Sequence, residues 1–185
     1  MKTIKKLNIL AMALLVSTGV FAQKQITKTA HVNIFSSTVA EDISADNYVT
    51  MTSINTETGE MLFSIPVQGF EFKKSMMQRH FNNSNFMDSK QFPKIKFKGK
   101  IDDLSKVDFT KDGEYTVTVS GDLTIRAVTK SITEKGTISI ANGKITTTSV
   151  FIVKGIFDYG VGKPTSKKKA NNVAENIKVT VKAQF

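Results

Sequence analysis

Apolar and polar residues alternate along most of the chain with a period of two, which is typical of β-strands buried on one face. In the segment 115–127 the odd-numbered residues are apolar or small, and the even-numbered ones are polar. The segment 94–101 sets Ile95 and Phe97 against four lysines, and the segment 177–185 repeats the alternation. The pattern predicts strands that turn one face towards a core.

Residues that favour tight turns separate these runs at the spacing of antiparallel hairpins. Thr58-Gly59, Asp112-Gly113 and Asn142-Gly143 supply residues suited to left-handed turn positions. The basic segment 160–174 is predicted to be a loop. About eight strands result, which is the pattern of a sandwich or a barrel. They are predicted at 26–36, 45–55, 61–72, 94–102, 114–128, 131–141, 144–157 and 176–185.

One stretch, 73–86, breaks the alternation and predicts a short helix that ends at Asn82-Asn83-Ser84. Met77, His80 and Phe81 lie three or four residues apart, a spacing that places side chains on one helical face. Met76 is predicted on the same face. A helix between two strands would close or line the interior that the strands enclose.

The N-terminus has the three parts of a secretory signal peptide. Lysines at positions 2, 5 and 6 precede the mostly apolar run 7–20, and small or branched residues follow it. The run is shorter than the roughly 20 apolar residues that a membrane span needs. We therefore predict a leader at 1–22 that is cleaved after Ala22, a periplasmic or secreted protein, and a single domain at 23–185.

Composition narrows the classes of partner. The chain contains no cysteine, which excludes a cysteine-linked lipid anchor, a disulfide framework and a thiolate metal site. The net charge is +10, and the lysines are distributed over outward strand positions. Such a surface favours solubility and transient contact with anionic membrane surfaces. Nucleic-acid binding is not predicted, because it needs aromatic residues interleaved with arginines, and Arg79 and Arg126 are the only arginines.

Catalytic chemistry has little support in the sequence. His31 and His80 are far apart, and no nucleophile or carboxylate pair accompanies them in a recognisable motif. Asp102, Asp103 and Asp122 are predicted to be turn or outward-facing carboxylates. We predict no enzyme activity, no catalytic residue, no metal and no cofactor.

Three stretches in this order resemble the YceI-like family. The first is MMQRHFN, followed by Phe86 and then QFPKIKFKGKI. The second, GDLTIRAVTK from Gly121, resembles the family's G-x-L-x-x-x-G-x-T-K segment, with Ala127 where glycine often stands; the third begins at Phe151. The region 26–55 matches only loosely. The resemblance implies an all-β, eight-stranded antiparallel lipocalin-like β-barrel with one short helix inserted between strands, which holds a polyisoprenoid or similar lipid.

The residues predicted to face inward are apolar throughout. Side-chain chemistry alone favours a packed interior, since most apolar faces form a core, whereas the resemblance favours a cavity that carries or sequesters an apolar lipid. Methionine side chains adapt to variable apolar shapes, which suits a binding surface. Arg79 and His80, and less strongly Lys130, are predicted to bind a phosphate head group, and a solvated helix face is the alternative for Arg79. The predicted cavity-lining residues are Phe63, Ile65, Val67, Met76, Met77, Phe81, Phe86, Phe97, Val117, Val119, Leu123 and Phe151.

Two other interpretations fit parts of the sequence. A small outer-membrane β-barrel also has a leader, alternating strands and a terminal aromatic residue such as Phe185. Its apolar face is turned outward and carries aromatic girdles, whereas this chain has no tryptophan and three tyrosines. The second interpretation is a secreted structural module whose interior is filled by its own side chains.

Overall fold

The structure, a computed structural model, describes residues 24–38, 41–162 and 174–185. The predicted leader at 1–22 and most of the predicted loop at 160–174 lie outside the described residues. Those residues form nine strands, one α-helix and three short 3₁₀ turns. The strands and helix are β1 (Lys24–Ser37), β2 (Asp42–Asn55), β3 (Glu60–Pro66), β4 (Phe70–Phe72), α1 (Ser75–Asn82), β5 (Lys94–Ile101), β6 (Gly113–Ile125), β7 (Val128–Ala141), β8 (Lys144–Val153) and β9 (Ile177–Gln184).

The strands close into an antiparallel barrel. Around the wall the order is β1, β2, β3, β5, β6, β7, β8 and β9, and β1 pairs with both β2 and β9. β3 and β4 pair with successive parts of β2, so together they occupy one position in the wall. The predicted eight-stranded antiparallel barrel with one inserted helix is confirmed.

The predicted strand 61–72 is wrong in its middle, where the chain leaves the wall in a 3₁₀ turn at Val67–Gly69. The turn packs directly on β2. A side chain on Gly69 would meet Val49 Cγ2 at 2.5 Å and Asn47 Nδ2 at 2.8 Å. The break therefore depends on contacts between strands, which a local residue pattern does not contain.

Several other boundaries differ from the predictions; β2, for example, begins at Asp42 instead of 45. β8 ends at Val153 instead of 157, because Gly155 takes a left-handed conformation with φ 65° and begins a 3₁₀ turn at Ile156–Tyr159. The turn between β6 and β7 comes at Arg126, with φ 53°, before the predicted break. Helix α1 covers Ser75–Asn82, so it begins two residues after the predicted start at 73 and ends where it was predicted to end.

The three predicted glycine turns have different outcomes. Gly59 has φ 73° and Gly143 has φ 74°, so both occupy the left-handed region as predicted. Gly113 instead begins β6, and it is absent from the positive-φ glycines of the described chain. Its neighbour there is the Tyr115 ring, whose hydroxyl oxygen would lie 3.3 Å from an added Cβ.

The two ends of the barrel differ in their connections. At one end the loop between β5 and β6 packs over an apolar cluster, and Phe185 packs against the same cluster. The connection from β4 to β5, with α1, lies at the opposite end, and β8 also ends there, before the turn at Ile156–Tyr159. The cluster closes the first end and contains the buried residues Ile54, Met61, Ile101, Val107, Val117, Ile138, Ile140 and Ile145.

Candidate functional site

A cavity of about 990 Å³ lies inside the barrel, between the closed end and helix α1. This volume is at the upper end of the roughly 300–1,000 Å³ that is usual for small-molecule sites. The alternation of the strands explains its character, because most wall strands turn apolar residues inward. β8 is a partial exception, since Val150 and Ile152 are exposed. The apolar lining includes Val32, Ile34, Phe63, Ile65, Ile95, Phe97, Leu123, Ile132, Phe151, Val179 and Val181.

Helix α1 is held beside the cavity by Gln78 and Phe81. The Gln78 side chain accepts a hydrogen bond from the Phe72 N–H at 3.0 Å and donates one to the Phe70 carbonyl at 2.6 Å. The Phe81 ring packs against the same two residues, with centroid distances of 5.5 Å to Phe70 and 4.9 Å to Phe72. Both contacts fix the helix on β4, and Met77 and Phe81 consequently border the cavity.

Replacing Gln78 by alanine should loosen the helix without unfolding the barrel. Two backbone groups of β4 lose their partner, at about 1 kcal/mol for each hydrogen bond. We expect faster amide hydrogen exchange in 75–82 and an unchanged rate in the barrel strands. Gln91→Ala, at an exposed position, is the control. Equal exchange of the helix in both variants would show that Gln78 does not hold it.

Arg126 joins the two long connections to the barrel wall. Its Nη1 donates to the Phe86 carbonyl at 3.0 Å and to the Gly160 carbonyl. Its Nη2 lies 4.0 Å from the Asp88 carboxylate, and the guanidinium lies 5.2 Å from the centre of the Phe92 ring. One side chain from the β6–β7 turn therefore positions the segments on both sides of the cavity mouth.

The pairing between β7 and β8 covers only part of the two strands. Within the described residues, registered pairs between these strands end where Thr137 faces Thr148, although β7 begins at Val128 and β8 ends at Val153. Just beyond that pair, the Ser149 hydroxyl donates to the Lys135 carbonyl at 2.6 Å. The remaining edges of both strands border the cavity.

Polar side chains line the cavity next to this interruption. Glu134 of β7 and Thr147 and Ser149 of β8 are all part of the lining. Burial raises the pKa of the Glu134 carboxyl above its ordinary value, and the charge of Lys154 opposes part of that rise. Thr147 is 6% exposed, and its hydroxyl has no hydrogen-bond partner among the described atoms.

The structure brings most of the predicted cavity residues together. Two features account for this arrangement: alternate residues of the strands face inward, and α1 lies over the barrel. Contact with a ligand stays a prediction for each of them. The predicted residues that line the cavity are Phe63, Ile65, Met77, Phe81, Phe86, Phe97, Val117, Val119, Leu123 and Phe151.

Three other predicted positions, Val67, Met76 and Arg79, need correction, and His80 does not. Val67 is fully buried but lies in the 3₁₀ turn that leaves the wall, outside the lining. Met76 is 58% exposed, because the helix packs through the face that carries Met77. Arg79 is exposed and does not border the cavity. His80 is exposed at the cavity rim, where it was expected, and its contact with a head group stays a prediction.

Lys130 is engaged by the 3₁₀ turn after β8. Its ammonium lies 2.9 Å from the Asp158 carboxylate and 4.8 Å from the centre of the Tyr159 ring. Burial raises the pKa of Tyr159, and Lys130 acts in the opposite direction. The weaker head-group prediction for Lys130 is thus replaced by a contact that fixes this turn on β7.

Sequence reasoning missed three residues that shape the site: Gln78, Arg126 and Glu134. Gln78 and Arg126 carry no local signal, since their partners are set by the closed barrel. Glu134 does carry one, because it interrupts the even-numbered apolar series of β7, which includes Ile132 and Ile138. An acidic residue at an inward position of a strand is a recognisable exception.

The described residues contain no group of three or more His, Asp or Glu side chains that is placed to hold a metal ion. The two histidines stay apart: His31 bonds to the Asp46 carboxylate at 2.7 Å and stacks on Tyr48, while His80 lies at the cavity rim. In the same part of the chain, no helix is long and apolar enough to cross a membrane.

Comparison with known families gives one decisive result. The model of the family described as YceI-like domain matches residues 18–185. The chain belongs to the YceI-like family. The recognition made from its helix and strand motifs is confirmed, and comparison with curated proteins gave no significant match.

Solved structures similar to this YceI-like protein share its fold. A polyisoprenoid binding domain from Saccharophagus degradans, implicated in plant cell wall breakdown, has a TM-score of 0.73 at 16% identity, over 87% of this chain and 96% of that one. BcnA of Burkholderia cenocepacia has a TM-score of 0.70 at 16% identity, over 84% and 96% of the two chains. The YceI protein of Campylobacter jejuni has a TM-score of 0.58 at 16% identity, over 98% of each.

Proposed function

We propose that this YceI-like protein binds one long apolar lipid, a polyisoprenoid or a similar chain, and carries or sequesters it without catalysis. The observation that carries the proposal is the cavity of about 990 Å³ with its apolar lining. The polyisoprenoid binding named for the Saccharophagus degradans domain supports the same ligand class. The catalytic alternative has no support from a nucleophile and base pair in the residues that line the cavity.

Affinity should come mainly from the length of the apolar chain. Burying each CH₂ group contributes about 0.8 kcal/mol, and a smooth apolar wall distinguishes poorly between chains of equal length. A series of polyprenols of increasing length tests this directly. We expect affinity to rise with each isoprene unit until the cavity is full and then to level off; equal affinity for the shortest and the longest member would contradict the proposal.

We place the protein in the periplasm or outside the cell, after removal of a leader at 1–22. The lysine and apolar composition of that segment supports this location. N-terminal sequencing of the protein purified from its host should begin at Gln23. Recovery of the chain with its N-terminal lysines intact, in the cytosolic fraction, would contradict this location.

Transient contact with anionic membrane surfaces belongs to the same proposal. The outward side of β5 carries four exposed lysines, at positions 94, 96, 98 and 100, and each such charge adds about 1 kcal/mol near an anionic lipid surface. The outer-membrane barrel is disfavoured by the same strand, because its charged side faces outward and its apolar side faces the cavity. The filled structural module is disfavoured by the cavity itself.

A further inference from the structure

The polar patch between β7 and β8 makes one part of the cavity lining polar, so the two ends of a bound lipid are not equivalent. We propose that it binds the polar end of the lipid, and that this end is a hydrogen-bond donor, an alcohol or an amine, in preference to a phosphate. The inference deepens the proposed function and rests on it. Three side chains carry it, Glu134, Thr147 and Ser149.

Alternate residues of a β-strand face the same side, and this places the three side chains on the cavity side of β7 and β8. Gly136 lies opposite Ser149, since Thr137 pairs with Thr148 and an added Cβ on Gly136 would lie 3.6 Å from the Ser149 Cβ. Glu134 is the next inward position on β7. Gly136 borders the cavity beside Ser149 without a side chain of its own, and an added Cβ would come within 3.0 Å of the Thr148 carbonyl. The patch is therefore one continuous surface with room for a small polar group.

Two of its groups lack partners in the described chain. The Thr147 hydroxyl is buried without a hydrogen bond, which is an unfavourable state that a ligand group could relieve. The Glu134 carboxylate takes part in none of the described hydrogen bonds or ion pairs, and Lys154 acts on it only through its charge. The Glu134 carboxylate only accepts hydrogen bonds, whereas the Thr147 hydroxyl can accept or donate one. A ligand with an O–H or N–H group can satisfy both, and the preference for a donor comes from Glu134.

Two cations close to the cavity are engaged within the protein, and two others that border it, His80 and Lys135, are exposed to solvent. Arg126 is bonded to the Phe86 and Gly160 carbonyls, and Lys130 is paired with Asp158. A phosphate at the patch would face the Glu134 carboxylate, and like charges at short range in a low-dielectric site repel strongly. An uncharged alcohol avoids this repulsion, and a protonated amine is attracted to the carboxylate.

Three probes with the same chain separate these possibilities: geranylgeraniol, geranylgeranylamine and geranylgeranyl monophosphate. Their affinities are measured for the full-length processed protein and for Glu134→Gln, at one pH and salt concentration. A hydrogen bond to a charged group corresponds to roughly a tenfold to hundredfold difference in affinity. We expect the alcohol and the amine to bind at least about tenfold more tightly than the phosphate. Glu134→Gln should reduce this difference to about threefold or less, chiefly by strengthening phosphate binding and weakening amine binding.

Glu114→Gln is the matched control, because Glu114 is an exposed strand carboxylate on β6. It should leave all three affinities unchanged. Equal binding of the three probes by the unmodified protein, or a preference that persists in Glu134→Gln, would overturn the inference while leaving lipid binding intact. Failure of all three probes to bind would overturn the proposed function and this inference together.

Discussion

The Met77→Lys protein should fold normally and bind a polyprenyl probe about a hundredfold more weakly than the unmodified protein. Met77 borders the cavity from helix α1. Replacing it removes an apolar contact worth about 1.5–3 kcal/mol, and a lipid chain beside the new ammonium would also desolvate a charge. Phe81→Lys should also prevent uptake, but Met77 is the cleaner position because the Phe81 ring also packs on Phe70 and Phe72.

Met76→Lys is the control for this experiment. Met76 is the neighbouring residue of the same type, and it is 58% exposed, so its replacement should change neither folding nor uptake. Probe titration and circular dichroism of both variants are sufficient. Unchanged uptake by folded Met77→Lys would remove the helix from the binding site, and equal loss in both variants would point to surface charge instead of the cavity.

Arg126→Ala should lower the free energy of unfolding by about 2 kcal/mol, the size of a small set of hydrogen bonds to a charged donor. For a domain of this size that change lowers the melting temperature by about 4–8 °C. The guanidinium joins the Phe86 and Gly160 carbonyls to the β6–β7 turn. Its loss should also speed amide exchange at the cavity mouth.

Arg126→Gly separates the contacts of the Arg126 side chain from the cost of its left-handed backbone. The backbone of Arg126 is left-handed, with φ 53°, and a residue other than glycine pays about 1 kcal/mol for that conformation. We therefore expect Arg126→Gly to melt above Arg126→Ala and below the unmodified protein. Arg79→Ala, at the other arginine, which is exposed, should change the free energy of unfolding by no more than about 0.5 kcal/mol. A melting temperature for Arg126→Ala equal to that of Arg79→Ala would contradict the joining role.

The barrel could be predicted because its information is local. A period of two fixes which side of each strand is buried, and short turns impose antiparallel neighbours. The interruption between β3 and β4 could not be predicted in the same way. It depends on how closely Gly69 approaches Asn47 and Val49 across the sheet, and these contacts exist only after β2 and the turn have met.

The site was predictable to a smaller extent. The alternation along each strand identified inward residues such as Phe97 and Leu123, and the helical spacing identified Met77 and Phe81. The alternation of apolar and polar residues is the same for a filled interior and for a cavity, however. Only the closed wall of the structure reveals the empty volume. The helical face was also assigned too broadly: Met76 points to solvent because Gln78 and Phe81 fix the rotation of α1 on β4.

The most direct test of a lipid-filled barrel is native mass spectrometry of the protein purified from its own host, followed by organic extraction and lipid analysis. We predict a mass that exceeds the processed chain by one long apolar lipid, which extraction removes and which rebinds to the delipidated protein. The inferred donor at the polar end predicts that this lipid is an alcohol or an amine. A protein that carries no lipid from its host and takes up no polyprenyl probe would contradict lipid binding in the barrel.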